Sequence, residues 1–180
     1  MFYMFFADGF EEVEAVSTLD VIRRAGIEIE SVGIGSDTIT GSHNMKFVCD
    51  RLCNEIKPDS SLEGIILPGG MPGTTNLMNS PVVNEFIDYC SSNSLLICAI
   101  CAAPMILGKK GLLNGKNAIC FPGFENELIG ANISDEFVCK DGNIITAKGM
   151  GSAINFGLEI VAAVKDKPFA DNLKSTLQCS

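Results

Sequence analysis

The sequence predicts an α/β protein in which helices cover both faces of a mostly parallel sheet, and three observations lead there. Apolar strand-like runs alternate with helix-like segments from one end of the chain to the other. The central runs, Gly64-Ile65-Ile66-Leu67 and Leu95 to Ile100, are apolar without alternation, as strands buried on both sides are. At 180 residues the chain suits one domain, spanning 1–180, large enough to bury a core without a disulfide or metal staple. No internal repeat, linker or low-complexity tract divides it.

Each element has its own signal. Residues 1–6 read as a buried first strand. Glu11 to Ala25 reads as a helix with apolar Val13, Val16, Leu19, Val21 and Ile22, ended by Gly26. Ile27 to Ile34 alternates as a second strand. Gly35 to Gly41 is turn-rich, and Met45 to Cys49 is a candidate short strand. The strand at 64–67 empties into Pro68-Gly69-Gly70-Met71-Pro72-Gly73. Ser80-Pro81 marks a helix start, a cap followed by proline at the first helical position, and that helix runs to about Ser91. Leu95 to Ile100 is the next strand, Ala102 to Lys109 the helix after it, and Asn117 to Cys120 another strand. Phe137 to Lys140 and Asn143 to Ala147 form a hairpin around Asp141-Gly142. Gly151 to Val164 is a closing helix with a small-residue face.

Composition excludes several classes. With 47% hydrophobic and 19% charged residues the chain is not disordered. A net charge of −9, with no basic face, argues against nucleic acid as a partner. The opening Met1-Phe2-Tyr3-Met4-Phe5-Phe6 has no basic flank and runs into Asp8-Gly9, so it is neither a secretory signal nor long enough to span a bilayer. Most of the eight cysteines lie in apolar runs; they read as reduced core residues of a cytoplasmic protein, with Cys179 in a polar tail. One histidine and no paired-cysteine knuckle leave no zinc site.

The chemistry points to Cys101. An apolar strand ends on this thiol and small residues begin a new element, which is the pattern of a nucleophile elbow. A helix start beside the sulfur lowers a thiol pKa from about 8.5 towards roughly 3.5–7.5, which makes a thiolate available at neutral pH. Leu67-Pro68-Gly69-Gly70 leaves a neighbouring strand at the carboxyl edge, where open α/β sheets bind ligands. The Gly70 and Ala102 N–H groups then form an oxyanion hole above Cys101, or the glycines serve only as a tight turn. Glu14 follows the first strand at the same edge, inside an apolar stretch. Turned inward, it either stays protonated and hydrogen-bonds the sulfur or acts as general acid and base. Glu11 and Glu12 need no more than the helix dipole to explain them. Cys98 and Cys101 spell C-x-x-C, but Cys98 lies within the strand, three residues away and on the opposite face, which argues against a redox dithiol. Cys120, ending another strand, is the better second thiol near the pocket.

The motifs ADGFEEVEA, VIRRAG, ILPGGMPG, AICAAP and CFPGFE, in this order and at these spacings, resemble the ThiJ/PfpI superfamily, nearest its parkinsonism-associated deglycase branch. The likeness runs from about residue 3 to 165. It implies a flavodoxin-like three-layer sandwich and a homodimer; no cofactor or metal is expected. It makes Cys101 the reactive cysteine, Glu14 the carboxylic acid bound to it, and Gly70 and Ala102 the amides facing the sulfur. Arg24 and His43 fall where the family often places arginines near the pocket and dimer contact; as a lone residue, His43 reads as a surface turn histidine. Phe121 stands where many members carry a histidine, which argues against a peptidase, since a Cys-His arrangement needs that base.

Two functions follow. One is a glutathione-independent glyoxalase or protein deglycase acting on reactive carbonyls through the Cys101 thiolate. The other is an oxidative-stress sensor or chaperone-like protective protein whose Cys101 is oxidised to sulfinic acid without turnover. The superfamily's thiamine-related label finds no phosphate or thiazole chemistry in these residues.

Overall fold

A computed structural model describes residues 1–179. Strand β1 (Phe2–Phe6) sends Phe2, Met4 and Phe6 into one core and Phe5 into the other, as a strand buried on both faces must. Helix α1 (Glu12–Arg24) begins where the Glu11 side chain accepts the Glu14 N–H at 2.7 Å. It ends at Ala25, with Gly26 left-handed just beyond. β2 (Ile29–Gly33) follows. Thr38–Thr40 (β3) and Lys46–Val48 (β4) pair antiparallel as a separate ribbon, so the turn-rich stretch holds a strand of its own. β5 (Arg51–Leu52) is a two-residue edge.

After β6 (Gly64–Leu67) the glycine-rich turn leads into α2 (Gly73–Asn79), a helix of poor helix formers held by buried Thr74 and Leu77. α3 (Pro81–Ser92) starts as its Ser-Pro pair predicts, with the Ser80 hydroxyl accepting the Val83 N–H. β7 (Leu96–Ile100) runs to the elbow. α4 (Pro104–Lys109) begins two residues later than expected, because residues 101–103 form a turn that delivers Pro104 to the first helical position. β8 (Asn117–Ala118) pairs with β9 (Asn132–Ile133) outside the main sheet. The hairpin of β10 (Val138–Asp141) and β11 (Ile144–Ala147) turns at Gly142, whose φ is 61°. α5 (Ala153–Val164) closes the core. α6 (Lys167–Thr176), unexpected from its polar composition, is capped by Asp166, which accepts the Phe169 N–H at 2.8 Å.

The main sheet has seven strands in the order β10-β11-β7-β6-β1-β2-β5, parallel except for β10. Its inner order β2-β1-β6-β7-β11 is the flavodoxin-like arrangement, with a topological switch between β1 and β6. Helices α1, α5 and α6 cover the face of Phe2, Met4 and Phe6, while α3 and α4 cover that of Phe5. Gly157 of α5 sits against α1 so tightly that a Cβ there would lie 2.9 Å from Val21 Cβ. Among the described residues no helix is long and apolar enough to cross a membrane.

Candidate functional site

Three strands end together at the carboxyl edge beside the switch point. β7 delivers Cys101, β6 delivers Gly69 and Gly70, and the turn after β1 delivers α1 with Glu14 on its inner face. Cys101 holds φ at 65°, a left-handed conformation that few side-chain-bearing residues adopt. Two hydrogen bonds fix it there: its N–H donates to the Ala147 carbonyl at 2.9 Å, and its carbonyl accepts the Phe121 N–H at 2.8 Å. The thiol is half-buried, and the Gly70 and Ala102 N–H groups both point at its sulfur.

Glu14 is 1% exposed and hydrogen-bonds the Cys101 thiol, while its Oε2 accepts the Gly69 N–H at 3.0 Å. Gly69 is the residue that the sequence reading passed over. A Cβ at that position would lie 2.5 Å from Cys101 Cβ and 2.6 Å from Glu14 Oε2, so only glycine lets the two groups meet across it. Gly70, at φ 90°, is likewise confined: a Cβ would lie 2.5 Å from the Gly9 carbonyl. The signal available was the Gly-Gly pair itself; nothing in it said which glycine faces which group.

Burial pushes the Glu14 carboxyl up to about 7, helped by the charge of Glu11 and opposed by hydrogen bonds from Cys101 and Gly69. Cys101 is pushed up to about 12, first by burial and then by the Glu14 carboxylate, against the pull of the Gly70 and Ala102 N–H groups. The thiol beside an ionised Glu14 is therefore not lowered as a helix start alone would lower it. α4 is six residues long and starts at Pro104, so its dipole adds little at the sulfur. Carboxyl and thiol titrate as one unit that holds a single proton between about 7 and about 12. Protonated Glu14 turns from a repelling charge into a third donor to the sulfur.

The other sequence-predicted residues lie elsewhere or face away. Cys120 is buried in the opposite core, among Leu113, Ala118 and Leu128, and is pushed up to about 11 by that burial. Its backbone neighbours the elbow but its thiol does not face the pocket. Cys98 is wholly buried in the same core that Cys101 packs against, because the alternation of a strand does not continue through a left-handed residue. Its thiol is raised strongly by desolvation, which leaves it no redox role beside Cys101. Arg24 is exposed and pairs with Asp20 at 2.6 Å, ten residues and about 15 Å along α1 from Glu14. His43 is exposed in its turn, with Nδ1 3.0 Å from Glu12 Oε2. Glu12, itself buried, also accepts the His43 N–H at 2.7 Å and the Ser42 hydroxyl at 3.2 Å. Burial raises this carboxyl, but those bonds outweigh it and hold it at about 2. Glu11, Glu12 and His43 bring ligand atoms within 4.8 Å of one another, yet the Glu12 oxygens are already taken by the loop.

The DJ-1/PfpI family model matches residues 2–163. The chain belongs to that family. Within the DJ-1/PfpI family it is 34% identical over 164 residues to Protein dj-1beta of Drosophila melanogaster, covering 89% of this chain and 87% of that one. It is 33% identical over 175 residues to the Parkinson disease protein 7 homolog of Danio rerio, covering 95% and 93%. Among solved structures, oxidized DJ-1 of Toxoplasma gondii superposes with a TM-score of 0.95 at 29% identity, covering 99% of this chain and 98% of that one.

Proposed function

We propose that this protein is a cysteine-dependent enzyme acting on reactive carbonyls, of the glutathione-independent glyoxalase or deglycase type. One observation carries the reading: a nucleophile, an acid–base group and two oxyanion donors converge on one point at the sheet edge. With methylglyoxal, ionised Glu14 takes the Cys101 proton and the sulfur attacks the aldehyde carbon. The carbonyl electron pair moves to oxygen, where the Gly70 and Ala102 N–H groups hold it. Protonated Glu14 then gives that oxygen its proton, which completes a hemithioacetal. Glu14 next withdraws the proton from the former aldehyde carbon as the neighbouring carbonyl oxygen takes up a proton, which gives an enediol; Glu14 then returns its proton to that neighbouring carbon while the first hydroxyl releases its own. The product is a thioester, and water cleaves it to lactate and the free thiol. A carboxyl near 7 suits a group that must act in both directions at neutral pH. Early adducts of the same aldehydes on amines are substrates for the same attack.

The test is lactate formation from methylglyoxal. The Cys101→Ser variant is expected to lose activity and Glu14→Gln to fall by about 100-fold or more. Equal rates in all three proteins would remove the proposal. The arrangement also fits oxidant sensing, because the two N–H groups that hold an oxyanion, together with protonated Glu14, stabilise sulfinate oxygens on Cys101. A relative solved in oxidized form favours that second reading. Mild peroxide should then add two oxygens at Cys101 alone; oxidation scattered over the other cysteines would count against it. A homodimer, from membership of the family, and a cytoplasmic location, from cysteines that are free and mostly buried, complete the proposal.

A further inference from the structure

Next to the elbow's backbone, where Phe121 replaces the family histidine, the chain builds an apolar groove of about 320 Å³ from Phe121, Pro122, Phe137, Lys148, Gly149 and Met150. Phe121, Phe137 and Met150 are 47%, 64% and 56% exposed, an unusual cluster of large apolar side chains left to solvent in one place. Both walls hang from the nucleophile's own backbone. Phe121 donates its N–H to the Cys101 carbonyl, and Ala147, which accepts the Cys101 N–H, leads directly into Lys148 and Gly149. Across the groove Lys148 donates its N–H to the Phe137 carbonyl at 2.9 Å, and its ammonium lies 5.3 Å from the centre of the Phe137 ring. Gly149 joins groove to acid: a Cβ there would lie 3.2 Å from the Phe121 ring and 3.9 Å from Glu14 Oε1. A group bonded to the reacting carbon would thus run from the Cys101–Glu14 pair past Gly149 and onto the aromatic floor.

We infer that this site selects 2-oxoaldehydes whose second carbonyl carries an aromatic or bulky apolar group, which the Phe121–Phe137–Met150 groove receives; the inference rests on the glyoxalase reading above. The methyl of methylglyoxal is too small to cover that surface, whereas a phenyl ring spans it and stacks against Phe121 or Phe137. The chemistry is unchanged: phenylglyoxal and water give mandelate through the same hemithioacetal, enediol and thioester.

The experiment compares kcat/KM for phenylglyoxal and methylglyoxal in wild type, Phe121→Ala/Phe137→Ala and Phe137→Leu, with thermal melts and sedimentation on each. The phenylglyoxal-to-methylglyoxal ratio is expected to fall about tenfold or more in the double variant, since a single methylene in an apolar pocket is worth about that much. Phe137→Leu, which keeps apolar bulk, should retain most of the preference. A ratio unmoved in the double variant, with both substrates turned over, overturns the inference and leaves the glyoxalase reading standing. An unmoved ratio with an altered oligomeric state assigns the groove to a contact between copies and overturns it too. Turnover of neither substrate by wild type removes both readings together.

Discussion

Glu14 is held out of water beside a thiol, and that placement has a thermodynamic consequence of its own. Its folded-state value near 7 lies above the ordinary 4.5, with burial the largest cause, so folding takes up a proton between those values. The stability this gives the protonated form is complete below about 4.5 and is lost as pH rises through about 7. Glu14→Gln keeps the size of the side chain without the charge. It should therefore gain on wild type across that window, by up to about 3 kcal/mol in a denaturant midpoint series at pH 4 and pH 8. A difference equal at both ends would contradict a buried, raised carboxyl. Glu12 has the opposite sign: held at about 2, it contributes above the ordinary 4.5 and is lost as pH falls from there towards 2. Glu12→Ala should cost about 1–3 kcal/mol and strip exchange protection from the His43 amide, which now donates to Glu12 at 2.7 Å. Unchanged protection at His43 would show that the carboxylate does not hold that loop. Glu14 was legible from its place in an apolar stretch of α1, whereas Glu12 was not. Its burial is created by the loop at 41–45 folding over it, a contact that no local pattern announces.

Helix α1 supplies both carboxylates, and its position depends on α5. Gly157 leaves no room for a Cβ against Val21, so Gly157→Ala forces the two helices apart and should cost about 1–3 kcal/mol in a melting or denaturant series. A neutral result would mean that the α1–α5 contact yields without strain. Elements with a packing signature were readable: the Ser80-Pro81 start of α3 and the apolar runs of β1, β6 and β7 required no tertiary knowledge. Those missed lack one. α6 buries only Ala170 and carries a polar surface, although Asp166 and Pro168 do mark its start. α2 opens with Gly-Thr-Thr-Asn and is helical because its buried residues pack, not by propensity. The start of α4 was misplaced for a similar reason. Small residues after a strand suggest an immediate helix, but the backbone first spends residues 101–103 on the turn that aims the sulfur.

At the scale of the whole molecule the site is a product of strand order. Cys101, Gly69, Gly70 and Glu14 come from segments far apart in sequence, and they meet because β1, β6 and β7 lie side by side and end at one edge. Recognising the order of motifs made that convergence legible, while the direction of each side chain, that of Cys120 above all, was decided by packing. The exposed valines of α1, Val13 and Val16, with Ile154 of α5, form an apolar surface suited to the proposed homodimer. Light scattering should therefore give twice the 19.2 kDa chain mass, and Val16→Glu should reduce it to one; a wild type of single mass would end that proposal. Within that assembly, sulfur and carboxyl work as one titrating pair. Its most direct measurement is the pH dependence of Cys101 alkylation by iodoacetamide, followed at that residue by mass spectrometry in wild type and Glu14→Gln. The rate should rise through about 7 in wild type and lose that inflection in the variant. A single inflection at the free-thiol value of about 8.5, the same in both proteins, would contradict it.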